Sequence, residues 1–121
     1  MYVIFLDDER FPHEAATWCN LPASFFDPTQ VVICRNMHDV QHTVAEKGMP
    51  EMISFDHDLG DEPETGYDIA KWLCNLDAVN IEAGLFGFRF SDTFQFAVHS
   101  KNPIGAKNIK EYMNNYFKHR E

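Results

Sequence analysis

Two apolar runs of four or five residues, Tyr2–Leu6 and Met52–Phe55, each stop on aspartate, at Asp7-Asp8 and at Asp56-His57-Asp58. Runs this short and unbroken read as strands buried on both faces, which is how strands of a parallel sheet read. Two more fit the same template, Val31–Cys34 and Phe94–Val98, the latter ending at His99-Ser100. Helical stretches separate them. His13–Asn20 is a short helix; Met37–Lys47 carries Met37, Val40, Val44 and Ala45 on one stripe, with Gly48 and Pro50 as stop signals. Thr65 caps a third helix that runs to about Leu76 on an Ile69, Trp72, Leu73, Leu76 face, and Pro103 opens a last helix of roughly fifteen residues.

Strands alternating with helices predict an α/β fold with a parallel sheet of about four strands. Right-handed crossovers bring the carboxyl ends of all four strands to one edge, and ligands of open α/β sheets bind there, where strand order reverses. Asp7, Asp8, Asp56 and His99 are therefore expected to converge. Residues 77–92, with weak alternation interrupted by two glycines, read as a hairpin-like insertion in an otherwise continuous single domain spanning 1–121. With 121 residues, 45% hydrophobic residues and eleven phenylalanines, the chain has enough apolar surface for one core.

Charge narrows the function. The net charge is −9, but residues 101–121 carry five Lys/Arg against two Glu, and the first hundred carry five against seventeen acids. Such a surface repels a long polyanion, so general duplex nucleic-acid binding is excluded; the basic last helix suits a single phosphate or an acidic partner. No apolar run is long enough to cross a membrane, and the first residues lack the basic start of an export signal, so a cytoplasmic location is expected. Cys19, Cys34 and Cys74 form no C-x-x-C pair and read as reduced, packing cysteines.

Adjacent carboxylates at a strand end repel one another unless a cation or hydrogen-bond donors lie between them. Asp7 and Asp8, joined by Asp56, accordingly read as ligands for a hard divalent cation, Mg²⁺ or Mn²⁺, with a carbonyl near Asp58 completing the set. His57 is not taken as a ligand. The stretch from His99 to Gly105 joins a strand end to a helix start, where free N–H groups and the helix dipole favour an anion, so Ser100, Asn102 and the backbone to Gly105 are expected to seat a phosphate. His99 is expected to protonate a departing oxygen. Arg10 and Arg35 are within a loop's reach as bidentate donors. Trp18, Trp72 and most phenylalanines read as core, the cluster from Phe86 to Phe96 being the one candidate exception.

The aspartates at the ends of strands one and three, with the hydroxyl of Ser100, resemble the acidic pocket of response-regulator receiver domains. The blocks Leu6-Asp7-Asp8-Glu9-Arg10-Phe11-Pro12, Ser54-Phe55-Asp56-His57-Asp58-Leu59-Gly60, Thr65-Gly66-Tyr67-Asp68 and His99-Ser100-Lys101-Asn102-Pro103-Ile104-Gly105 more closely resemble the cyclic-phosphate processing receiver-like domains of bacteria and their phages. The resemblance implies a three-layer, flavodoxin-like sheet that ends after the helix following strand four. The fifth strand of an ordinary receiver, with its phosphate-contacting lysine, is missing, and Lys101 is the candidate substitute. The function implied is a metal-dependent phosphoesterase that opens cyclic phosphates, at RNA 2′,3′-cyclic ends or in small cyclic nucleotides, in a bacterial or phage-infected cell. In it Asp56 and His99 act catalytically, Asp7, Asp8 and Asp56 hold the metal, and Arg10, Ser100, Lys101, Asn102 and Gly105 hold the phosphate. Two rival readings are a noncatalytic conflict protein that sequesters a nucleotide or docks on a host protein through its acidic surface, and a receiver-like phosphoacceptor at Asp56.

Overall fold

The computed structural model describes residues 1–120. Four parallel strands, β1 (Val3–Leu6), β2 (Val31–Cys34), β3 (Met52–Phe55) and β4 (Gln95–Val98), lie in the order β2-β1-β3-β4. The helices are α1 (Pro12–Ala15), α2 (Met37–Lys47), α3 (Gly66–Glu82) and α4 (Pro103–His119), with a 3₁₀ helix at Ala23–Phe26. This is the four-stranded parallel α/β architecture of a receiver. Strand order reverses between β1 and β3, so the crevice falls between the ends that carry Asp7-Asp8 and Asp56.

β1 is buried on both faces, and its alternation sorts the core into two layers. Ile4 and Leu6 join Ile53, Phe55, Val40, Ile69, Leu73, Ile109 and Met113 beneath α2, α3 and α4. Val3 and Phe5 form a smaller cluster with Ala15 and Phe25, on α1 and the 3₁₀ helix, with Leu21, Val31 and Met52 at its edge. The second layer is thin because the expected helix at His13–Asn20 is one turn at Pro12–Ala15, followed by turns.

α3 differs most from expectation. It continues past Leu76 to Glu82, so residues 77–82 are helix, and 85–92 contain no strand. The positions that continue its buried stripe are polar, Asp77 and Asn80, and apolar periodicity does not detect them. Asn80 Nδ2 donates to the Leu76 carbonyl at 2.9 Å. Asp77 accepts from Phe90 N at 2.8 Å, from Arg120 Nε at 2.9 Å and from the Tyr116 hydroxyl, which fastens the 83–94 segment and the end of α4 to α3. Phe90 packs there in tilted contacts with Phe94 and Phe117, so most of the Phe86–Phe96 cluster joins the core, while Phe86 is 84% exposed. Cys34 and Cys74 are buried and free, and burial pushes their thiols up to about 11 and about 12, which suits packing rather than reactivity. Among the described residues no helix is long and apolar enough to cross a membrane.

Candidate functional site

The parallel ladder runs one residue beyond each strand into the site. Asp7 N donates to the Cys34 carbonyl, Asp56 N to the Leu6 carbonyl and His99 N to the Phe55 carbonyl, at 3.1, 2.9 and 2.9 Å. These bonds fix three functional backbones before any side chain acts. Strand alternation then sends Asp7, Asp56 and His99 to the Phe5 face, where one ligand-type atom from each lies within 4.8 Å of the others.

Asp7 is fully buried and fully engaged. Its Oδ1 accepts from Glu9 N at 3.0 Å and Arg10 N at 2.8 Å; its Oδ2 accepts from His99 Nε2 at 3.0 Å and Arg10 Nη1 at 3.3 Å. Burial alone would raise its proton affinity, but the His99 and backbone hydrogen bonds outweigh burial and hold the carboxyl well below the usual range. Asp56 is shifted oppositely. Burial, then the charge of Asp7, push it up to about 6, against the partial relief of His99, Ser100 and Arg10.

His99 does not face the crevice. Its ring stacks on Phe5 with centroids 4.4 Å apart, its Nδ1 pairs with Ser54 Oγ at 2.7 Å, and its Nε2 is bound to Asp7. Both nitrogens are spent and the side chain is buried, so no ring nitrogen is presented to a phosphate in the cleft as the sequence reading expected. His99 instead orients Asp7. Ser54, the one hydroxyl in an otherwise apolar strand, is the partner that sequence reasoning passed over.

A cleft of 390 Å³ opens between the strand ends, lined by Asp8, Glu9, Arg10, Asp56, Asp58, Gly60, Ser100, Lys101 and Asn102. Its chemistry is mixed, with carboxylates from the β1 and β3 loops beside Arg10 and donors from the β4–α4 loop. With both oxygens of Asp7 taken by donors, Asp8 and Asp56, which line the cleft, are the strand-end aspartates offered to a cation. Gly60, at φ +64°, packs so tightly on Asp8 that a Cβ there would sit 2.8 Å from Oδ2, which preserves room for that carboxylate. A buried carboxylate whose ionisation is disfavoured by its neighbour, beside an unencumbered one, suits a hard cation in chemistry and charge. Arg10 supplies partial neutralisation, with Nη1 3.8 Å from Asp56 Oδ2.

The remaining expected residues divide. Asn102 caps α4 by accepting from Gly105 N at 3.0 Å, and its Nδ2 donates to Asp58 Oδ2 at 3.2 Å. Ser100 Oγ accepts from Asn102 N at 3.1 Å. Gly105 is absent from the cleft lining; its N–H is taken by the cap, and its missing Cβ makes room for the His57 ring. Arg35 is no phosphate ligand in this arrangement. Its Nη1 donates to the carbonyls of Asp7 and Arg10, at 3.0 and 2.7 Å, and so pins the β1–α1 loop. Trp18, read as core, stands at the rim 37% exposed, for which the sequence held no signal.

No curated protein and no solved structure matches the chain. A family model described as "Cyclic-phosphate processing Receiver domain" matches residues 2–115.

Proposed function

Because the chain belongs to the cyclic-phosphate processing receiver family, we propose that it is a metal-dependent phosphoesterase that opens cyclic phosphates in small cyclic nucleotides or at RNA 2′,3′-cyclic ends. One observation supports this best. The cleft is lined both by carboxylates, Asp8 and Asp56 among them, and by the donors Arg10, Ser100, Lys101 and Asn102, a mixture that suits a cation and hydrogen bonds acting on one phosphate.

Asp8 and Asp56 would hold Mg²⁺ or Mn²⁺, assisted by backbone near Asp58; when bound, the ion supplies charge neutralisation at the phosphoryl oxygens. Asp7 contributes charge from behind, fixed by His99 and two backbone N–H groups. Arg10, Ser100, Lys101 and Asn102 bind and orient the phosphate. Asp56, as the carboxylate that would hold the ion, orients the attacking water, and the proton of that water passes to solvent. The ester bond to the ring oxygen breaks, and that oxygen is protonated from solvent at the cleft mouth. His99 serves as a positioning residue instead of the proton donor.

The test is incubation of metal-loaded protein with 2′,3′-cyclic AMP, a cyclic-phosphate RNA oligomer and 3′,5′-cyclic nucleotides, read by product mass. Ring opening that is lost in Asp56→Asn is expected. The engagement of both His99 nitrogens favours a second reading, sequestration: tight binding of a nucleotide recovered intact would establish it in place of catalysis. Incorporation of one phosphoryl group at Asp56 from acetyl phosphate would move the assignment to a phosphoacceptor.

A further inference from the structure

Trp18 lies eight residues beyond Arg10, in the turn after α1, yet its indole is tied to the far side of the cleft. Nε1 donates to the His99 carbonyl at 2.7 Å, the residue that leads into Ser100 and Lys101. The ring so anchored meets both cations of the cleft. Lys101 Nζ lies 4.3 Å from the ring centroid and Arg10 Cζ lies 5.2 Å from it, each within the range at which a cation is attracted by an aromatic quadrupole. Lys101 is otherwise an exposed side chain with four rotatable bonds, and among the described residues no carboxylate pairs with it, so the Trp18 ring is what holds its charge beside the cleft. Arg10 is held at two points, by Trp18 and by the carboxylates of Asp7 and Asp56.

We propose that Trp18 is a positioning residue, an aromatic post that holds Lys101 and Arg10 at the cleft edge and thereby assembles its anion-binding half. The indole N–H fixes the post to the strand-four loop, and its π face holds the cations without neutralising them, so their charge stays available to a phosphate. A carboxylate in the same place would hold them more strongly and compete with the ligand. The inference rests on the reading of the cleft as a phosphate site, and it is independent of whether the phosphate is hydrolysed.

The experiment uses inorganic phosphate with Mg²⁺ as probe, measured by calorimetry on the full chain. Trp18→Leu is expected to weaken phosphate binding about tenfold, the size of two partly exposed cation–π contacts, while Trp18→Phe, which keeps a ring face but loses the anchoring N–H, falls between Trp18→Leu and the wild type. In the Lys101→Met background the loss caused by Trp18→Leu should shrink to a few-fold, because the post has lost one of its two cations. Wild-type affinity in folded Trp18→Leu, or a loss of the same size in both backgrounds, would overturn the proposal and leave the esterase reading standing. Should Trp18→Leu not fold, Trp18 emission in a Trp72→Phe background decides: Lys101→Met must change it, and an unchanged spectrum overturns the proposal. Phosphate bound by no variant and not by the wild type would instead bring down the phosphate reading of the cleft, and this inference with it. Phosphate binding that follows the expected pattern without turnover of any cyclic phosphate would keep this inference and remove only the catalysis.

Discussion

Asp7 and Asp56 are neighbouring carboxylates whose environments push their proton affinities apart. Asp7 has every lone-pair direction answered by a donor, whereas Asp56 carries the cost of burial and of its neighbour's charge. The consequence for stability follows from linkage. The folded value of Asp56 near 6 lies above its ordinary value of 3.8, so between those pH values the folded chain keeps a proton that the unfolded chain has released. Its contribution is therefore fully present below the ordinary value and is lost as pH rises through about 6. Asp56→Asn removes the penalty and should stabilise the metal-free protein by about 2–3 kcal/mol at pH 8 and by little at pH 4. Urea melts in EDTA at the two pH values check this; equal midpoints at pH 8 would mean that Asp56 is not electrostatically strained. Asp7→Asn should act oppositely, since its folded value is lowered and its stabilisation is lost as pH falls. These aspartates were legible in the sequence because strand ends at a reversal point are where ligands bind. His99 was legible as a site member but not in its orientation: two-residue alternation along β4 carries it toward Phe5 and Ser54, and leaves Ser100 for the cleft.

At the scale of elements, two glycines set the distance between helices and site, and they differ in what they press against. A Cβ at Gly66 would collide with the Asp56 carbonyl, and one at Gly105 with the His57 ring. Backbone cannot move without dragging Asp56, whereas the partly buried His57 imidazole can give way by a side-chain rotation at the expense of its contact with Asp58. Gly66→Ala should therefore cost more than about 3 kcal/mol and reduce metal affinity, while Gly105→Ala should cost about 1–2 kcal/mol and leave metal affinity near wild type. Paired denaturant melts and Mg²⁺ titrations separate the two; equal effects would mean the helix starts are not rigidly docked. Helix starts were readable from Thr65 and Pro103, and the side chains of Thr65 and Asn102 cap α3 and α4. The end of α3 was not, because Asp77 looks like a loop residue until Arg120, forty-three positions away, is known to reach it. Arg120→Met strands that buried carboxylate and should cost about 3 kcal/mol, with Asp77→Leu combined with Arg120→Met costing less than Arg120→Met alone. A double-mutant cycle in urea measures it, and additive costs would show the pair to be uncoupled.

Across the whole molecule, one face of the sheet is covered by three long helices and the other by a single helical turn, a 3₁₀ helix and the Trp18 loop. The cleft therefore opens beside the thin layer, where little but side-chain contacts fixes the rim. Charge is as uneven as structure. The chain carries −9 overall, −12 on residues 1–100 against +3 on residues 101–121, so its net field repels a long anionic substrate before a terminal phosphate reaches Arg10 and Lys101. Proteins that hold nucleic acid along the phosphate backbone lose affinity steeply with salt. Here the sign should reverse, because added salt screens the repulsion between the acidic surface and the polyanion more than it weakens the few short contacts inside the cleft. For an RNA oligomer ending in a cyclic phosphate, kcat/KM at fixed free Mg²⁺ should stay level or rise severalfold between 20 and 200 mM KCl, on the order of the steering effects that oppose it. For a cyclic mononucleotide it should change little, since a small anion meets far less of the surface. A steep fall with salt for the oligomer would point to a basic track along the chain that the acidic surface does not provide, and would redirect attention from the cleft to α4 as the RNA-contacting element.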